Sequence, residues 1–202
     1  MDEHDEYATV LTFWFGELDE NGLAAPDKAK LWWLKSASFD AAIRAQFGAL
    51  HERVLAGGHR DWLDTSRGRL AAIILLDQFS RNMFRETPRM YAADELAIEL
   101  AEEGLARDQD RELATDPRVF FYMPFMHAES LAAQDRAVEL FDALCQQLEG
   151  AALERAKSNL KYALMHRDIV ARFGRFPHRN TLLGRTSTPA EEEFLRQPGS
   201  SF

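Results

Sequence analysis

Apolar residues recur at steps of three and four along most of the chain, with punctuation typical of helices between the runs. Sustained alternation of β-branched residues is missing, and no hairpin turn is expected. The pattern predicts an all-α protein: a single domain over residues 1–202 of about 8–9 antiparallel helices, preceded by a flexible acidic N-terminus at 1–5.

The individual helices can be placed by their caps. A first covers Glu6 to Phe15 and ends at Gly16, and a second starts at Pro26 and carries Leu31, Trp32 and Trp33. Ser38 caps a third with the stripe Ile43, Phe47, Leu50 and Leu55, stopped by Gly57-Gly58. Thr65 opens the next, through Leu70, Ile73, Ile74, Asp77, Arg81 and Phe84, and Thr87-Pro88 begins another that stops near Gly104. Asp116-Pro117 starts an apolar segment, Val119 to Met126, in which Pro124 introduces a kink or a restart. A long stripe follows at Leu131, Val138, Phe141, Cys145 and Leu148, then a helix from Ala151 to Phe173 ended by Gly174. Thr188-Pro189-Ala190-Glu191 has the spacing of a capping box and opens the last helix. The four tryptophans, Trp14, Trp32, Trp33 and Trp62, are expected mostly in the core.

Several stripes are interrupted by polar residues, and these interruptions are the functional lead. Asp77 and Arg81 stand one turn apart where Leu70, Ile73 and Ile74 call for apolar residues, which turns an ion pair inward. Gln78, Asn82 and Arg85 flank them. Stepping back from Leu131, the long stripe passes through His127 and Gln134, and on the following helix His166 shares a face with Tyr162, Ile169 and Phe173. Glu129 lies about 200° around a helix from His127, so the two make a poor chelate and no metal site is expected. A loop at the end of the third of these helices adds Arg175, His178, Arg179 and Asn180. Guanidinium forks and imidazoles around one cavity suit a phosphate or carboxylate. His127, His166 and Asp77 are the candidates for proton transfer. The alternative role for the same residues is a buried network that fixes helix register.

Composition narrows the partners. A net charge of −9 opposes binding to nucleic acid or to anionic lipid, although Met165 to Arg185 holds five arginines and two histidines against the single acid Asp168. The longest apolar run, Leu70 to Leu76, is too short to span a bilayer. The acidic N-terminus lacks the basic start of an export signal. The one cysteine, Cys145, on an apolar stripe, reads as a packed small hydrophobe. These features place the protein in the cytoplasm, with no cofactor implied. Gly-x-Ser-x-Gly, P-loop and Gly-x-Gly-x-x-Gly motifs do not occur.

Four segments together carry a resemblance: Val10-Leu-Thr-Phe-Trp-Phe-Gly16, Leu75-Leu-Asp-Gln-Phe-Ser-Arg-Asn-Met-Phe-Arg85, Phe121-Tyr-Met-Pro-Phe-Met-His-Ala-Glu-Ser130 and Arg172-Phe-Gly-Arg-Phe-Pro-His-Arg-Asn180. In this order they resemble the family called domain of unknown function 924, from about Val10 to Phe202, with no departure at the motif positions. The resemblance implies an α-helical fold similar to tetratricopeptide-like superhelices and no established activity. Two readings follow. One is a pocket for a small anionic molecule, with Arg81, Arg85, Arg175 and Arg179 as clamps, in a protein that could be an enzyme. The other is a tetratricopeptide-like module that grips a peptide or protein in its groove.

Overall fold

A computed structural model describes residues 3–200, with side chains from residue 6 onward. Of the expected flexible N-terminus, Met1 and Asp2 lie outside the described residues, and the chain is already helical from Glu3. The described residues form nine helices and no strand. They are α1 Glu3–Phe15, α2 Pro26–Leu31, α3 Ala37–Leu55, α4 over 66–83, α5 Asp94–Leu105, α6 Thr115–His127, α7 Leu131–Cys145, α8 Gly150–Phe173 and α9 Pro189–Leu195. Together they make a single all-α domain.

The architecture turns on α4. Every residue from Gly68 to Ser80 is buried, so this helix has no wet face and forms the axis of the molecule rather than one wall of it. Helices α1, α3, α5 and α6 pack around it. In a solenoid of stacked pairs, by contrast, each repeat touches only its neighbours. Within α4 the α-helical stretch Ser66–Ile73 passes into a π-helical turn, Ile74–Phe79, before Ser80–Met83 resumes the α pitch. A π turn widens the helix locally and shifts its register, and such turns recur at functional sites. Asp77 and Gln78 lie on it.

Aromatic packing fills the space between α1 and α4. The Trp14 indole sits 5.4 Å from the ring of Phe79 and 5.5 Å from that of Phe120, with Trp32 and Phe39 stacked beside it. Each such side chain takes about 150–250 Å² out of water, worth about 4–6 kcal/mol before the entropy of ordering is subtracted. Trp14, Trp32 and Trp62 are core residues, whereas Trp33 is 63% exposed. At the far end of α4 the buried Arg69 guanidinium donates to Gln109 and to the carbonyls of Leu100 and Leu63, which satisfies a charge that would otherwise be costly to desolvate. Gly104 lets α5 approach it, because a methyl group there would lie 2.6 Å from Arg69 Cδ and collide with Phe121.

Some boundaries differ from the sequence reading, each for a local reason. Ser36 caps α3 rather than Ser38, accepting from the Phe39 N–H at 3.3 Å, while Ser38 instead bonds the Ser36 hydroxyl. Pro88 opens only a 3₁₀ turn, Pro88–Tyr91, and α5 begins at Asp94. Against the expectation of no hairpin turn, Asn21-Gly22 closes a tight loop that brings Leu18 and Ala24 into an isolated antiparallel bridge. Most consequentially, α6 ends at His127, and α7 starts afresh behind the cap Ser130. The face α7 buries is Gln134, Ala137, Leu140, Phe141 and Leu144: Gln134 and Phe141 are on the expected stripe, Ala137 and Leu144 are buried next to the half-buried Val138 and Cys145, and Leu131 is exposed. Tyr162 of α8 is likewise exposed, so the His166 face is apolar only on its C-terminal side. The capping box of α9 forms as read, with Thr188 accepting from the Glu191 N–H and the Glu191 carboxylate accepting from the Thr188 N–H.

Candidate functional site

Four elements meet where α4 emerges from the core. The π turn presents Asp77, and one turn later α4 presents Arg81. Asp94 stands in the first turn of α5, and His127 is the last residue of α6. The fourth contribution comes after Gly174, whose left-handed backbone (φ 71°) reverses the chain at the end of α8 and leads to the 3₁₀ turn Pro177–Arg179.

The side chains interlock. His127 Nδ1 lies 2.8 and 3.0 Å from the two Asp77 carboxylate oxygens, and Gln78 Nε2 donates to the same carboxylate at 2.6 Å. Arg81 bridges two acids: its Nη1 is 3.0 Å from Asp77 Oδ1, and its two terminal nitrogens grip Asp94 at 2.8 and 3.0 Å in a fork. Arg179 donates to the His127 carbonyl at 2.9 Å and to Asp94 at 3.3 Å. Its guanidinium lies between the rings of Tyr91 and Phe176, 4.4 and 4.5 Å from their centroids, a favourable place for a cation. Its buried Nε has no hydrogen-bond partner.

Electrostatics follow from burial and from these neighbours. Burial alone would raise the Asp77 pKa, but Arg81, His127 and the Gln78 hydrogen bond outweigh it and hold the carboxyl well below its ordinary value. His127 is pushed down by burial and by Arg81, against the pull of Asp77. His166 is driven to about 3 by burial and the nearby His127, 6.2 Å away ring to ring, and His178 to about 4 by burial and Arg179. The imidazoles are therefore neutral near pH 7, and the core of the cluster, Asp77 and Asp94 against Arg81 and Arg179, is balanced.

Most of this network is internal, but part of it borders a surface cleft. A cleft of about 700 Å³ lies between α5, the first turns of α7 and the loop that follows Phe176. His127 and Arg179 form part of its wall with Tyr91, Ile98, Phe125 and Leu183, and Asp94, Glu95, Glu102, Glu129 and Arg136 add charges of both signs.

Comparison with known proteins places this arrangement in a family. The family model described as "Bacterial protein of unknown function (DUF924)" matches residues 10–199. The chain belongs to this family. A solved structure, that of a protein of unknown function from Agrobacterium tumefaciens, is similar over 96% of this chain and 99% of its own, with 42% identity and a TM-score of 0.78. No curated protein matches. Of the segments that carry the family resemblance, those around Asp77, His127 and Arg179 contribute to the cluster at the cleft, whereas that around Trp14 builds the core.

The remaining residues singled out in the sequence have other partners. Asn82 and Arg85 both donate to Asp40 of α3 and tie it to the end of α4. Gln134 donates to the carbonyls of Met126 and Ala128 at 2.7 and 2.8 Å, which caps the C-terminus of α6. Arg175 is held by Glu191, and the Asn180 amide donates to Ser187. His166 donates from Nδ1 to the Tyr162 carbonyl, a bond within its own helix, and its ring packs on Phe176. His178 also packs against that ring, 5.6 Å away. Glu129 sits beyond the end of α6, so the angular argument against pairing it with His127 does not apply, and its carboxylate accepts from Arg185 and from the Phe176 N–H. Asp94 and Tyr91 were not identified in the sequence. Asp94 looks like an ordinary first-turn acid that complements the helix dipole, and nothing in its spacing announces the two arginines it collects.

Proposed function

We propose that this family member binds a small anionic molecule in the cleft between α5 and α7, and that the internal polar cluster serves to hold His127 and Arg179 at its wall. The observation that carries the reading is that these two members of the buried network line a space of about 700 Å³, within the range usual for small-molecule sites. Arg81, Arg85 and Arg175 are withdrawn from the expected clamp, since each is matched by a carboxylate of the protein itself. Unlike those three, Arg179 and Arg136 line the cleft; Arg179 shares Asp94 with Arg81, and the Arg136 pairing with Glu139 is solvent-exposed and therefore weak. The first turn of α7, which carries no acid, adds backbone N–H groups of the kind that favour an anion. Glu95 and Glu102, on the α5 wall and without an ion pair among the described residues, favour a ligand that also bears a cationic or hydrogen-donating group.

A thermal-shift series tests this with inorganic phosphate, with carboxylic and phosphorylated metabolites and with nucleotides, on the wild type and on Arg136→Glu. A ligand at 100 times its dissociation constant adds about 2.7 kcal/mol of stability, and the substitution should remove most of that gain. If no anion stabilises the protein, or if Arg136→Glu responds as the wild type does, the anion site fails. A peptide-binding groove of tetratricopeptide-like kind is the second reading. It is less favoured because the exposed aromatics Trp33 and Tyr162 do not line this cleft.

A further inference from the structure

The dyad that ends at the cleft has a defined polarity. An ionised Asp77 carboxylate can only accept hydrogen bonds, so the His127 Nδ1 between its oxygens must be the one that carries the proton. In a neutral imidazole the lone pair then belongs to Nε2. The hydrogen bonds of the ring among the described residues are those of Nδ1, which leaves Nε2 without one, and the His127 side chain is 15% exposed and lines the cleft. His166 differs, because its ring packs on Phe176 and does not line the cleft.

We propose that His127 is the general base of a hydrolytic site that acts on an activated acyl group, an ester in the simplest case, of a compound bound in this cleft. The inference rests on the cleft being a ligand site. In the step it performs, Nε2 takes a proton from a water molecule as the water oxygen forms a bond to the acyl carbon. The tetrahedral oxyanion then collapses, the bond to the leaving oxygen breaks, and the imidazolium returns its proton to that oxygen. One water is consumed, and one acid and one alcohol are released. Asp77 is a positioning residue: it fixes the tautomer and ring orientation and balances the imidazolium while it exists. Arg179, donating to the His127 carbonyl at 2.9 Å, is a second positioning residue: it holds the His127 backbone in place and lends positive charge to the cleft wall. The chemistry suits a good leaving group, because burial and Arg81 make the imidazole a weak base and its conjugate acid a ready donor.

Two measurements test the proposal. Hydrolysis of p-nitrophenyl acetate by the wild type should exceed that of free imidazole at equal concentration, and His127→Gln should lose at least tenfold. A wild-type rate at the imidazole background, or an undiminished His127→Gln rate, overturns it. Nitrogen-15 NMR of the wild type, which needs no variant to fold, should find the His127 proton on Nδ1, and a proton on Nε2 overturns the assignment of the base. The two readings fail separately. Phosphate stabilisation retained by His127→Gln, with hydrolysis at background, removes the base and leaves the anion site. Hydrolysis that depends on His127, with no stabilisation by any anion, removes the anion site and leaves the base.

Discussion

Replacement of Arg81 by alanine isolates the energetics of the cluster. The substitution leaves the Asp77 carboxylate, with 1% of its side chain exposed, facing only His127 and Gln78, and deprives Asp94 of its forked partner. Breaking a buried pair by deleting one member costs about 3–5 kcal/mol, because the surviving charge stays desolvated. At about 2.1 cal/mol/K per residue, the unfolding entropy of a 202-residue chain is about 0.4 kcal/mol/K, so Tm should fall by about 7–12 °C at pH 7. The loss should then shrink in acid. In the wild type the depressed Asp77 pKa stabilises the fold above the unfolded value of 3.8, and that contribution is lost as pH falls toward the folded one. Without Arg81, burial dominates, and the site takes up a proton on Asp77 or on His127, which Arg81 no longer repels. Denaturant unfolding of both proteins at pH 7 and pH 4.5 measures the two gaps. A deficit below about 1 kcal/mol at pH 7, or one that does not narrow at pH 4.5, would refute the account of Asp77 as a buried carboxylate sustained by Arg81.

Other outcomes follow from the same structure. His166 and His178, held neutral at about 3 and 4, together with the lowered His51 and His127, bind protons when unfolded and not when folded. Their stabilising effect is intact above pH 6.5 and lost as pH falls from there toward the folded values, so unfolding free energy should drop by about 2 kcal/mol or more between pH 7.5 and 5.5, above the range where carboxylates titrate. Equal stability at the two pH values would contradict the burial of these imidazoles. Gly104→Ala should destabilise by about 1–2 kcal/mol, since the collision with Arg69 and Phe121 exceeds the ~1 kcal/mol helix-propensity gain. Gly48→Ala in α3, where a methyl meets nothing within 4 Å, should stabilise by up to about 1 kcal/mol, and equal Tm changes for the pair would invalidate the packing argument.

What the sequence makes legible depends on the range of the cause. Helix ends set by local chemistry, such as Thr65, Gly174 and the Thr188 capping box, could be read directly because both partners lie within a few residues. The inward turn of Asp77 and Arg81 was also legible, as a break in periodicity. The central position of α4 was less so, because a helix buried on all faces leaves no polar stripe to orient it, and the π turn has no signature in residue spacing. The break after His127 was hidden because the apolar steps continue across residues 128–130, and only the Ser130 cap marks it.

The cluster also explains why residue type alone overstates a binding site. Five of the arginines set apart in the sequence as cations for a ligand or patch, Arg81, Arg85, Arg175, Arg179 and Arg185, each find a carboxylate on an element remote in the chain: Asp94, Asp40, Glu191, Asp94 again and Glu129. Such partners are invisible to any local pattern, and each offsets a cation that residue type alone would assign to a ligand; of the five, Arg179 alone lines the cleft. The residues left for chemistry are those whose bonding is satisfied on one side and open on the other. His127 meets that condition most fully, with Nδ1 fixed by a carboxylate inside the protein and Nε2 unpaired on a side chain at the cleft wall. A site built this way needs few exposed charges, because the buried ion pairs behind it supply the orientation and the imidazole alone supplies the reactive lone pair.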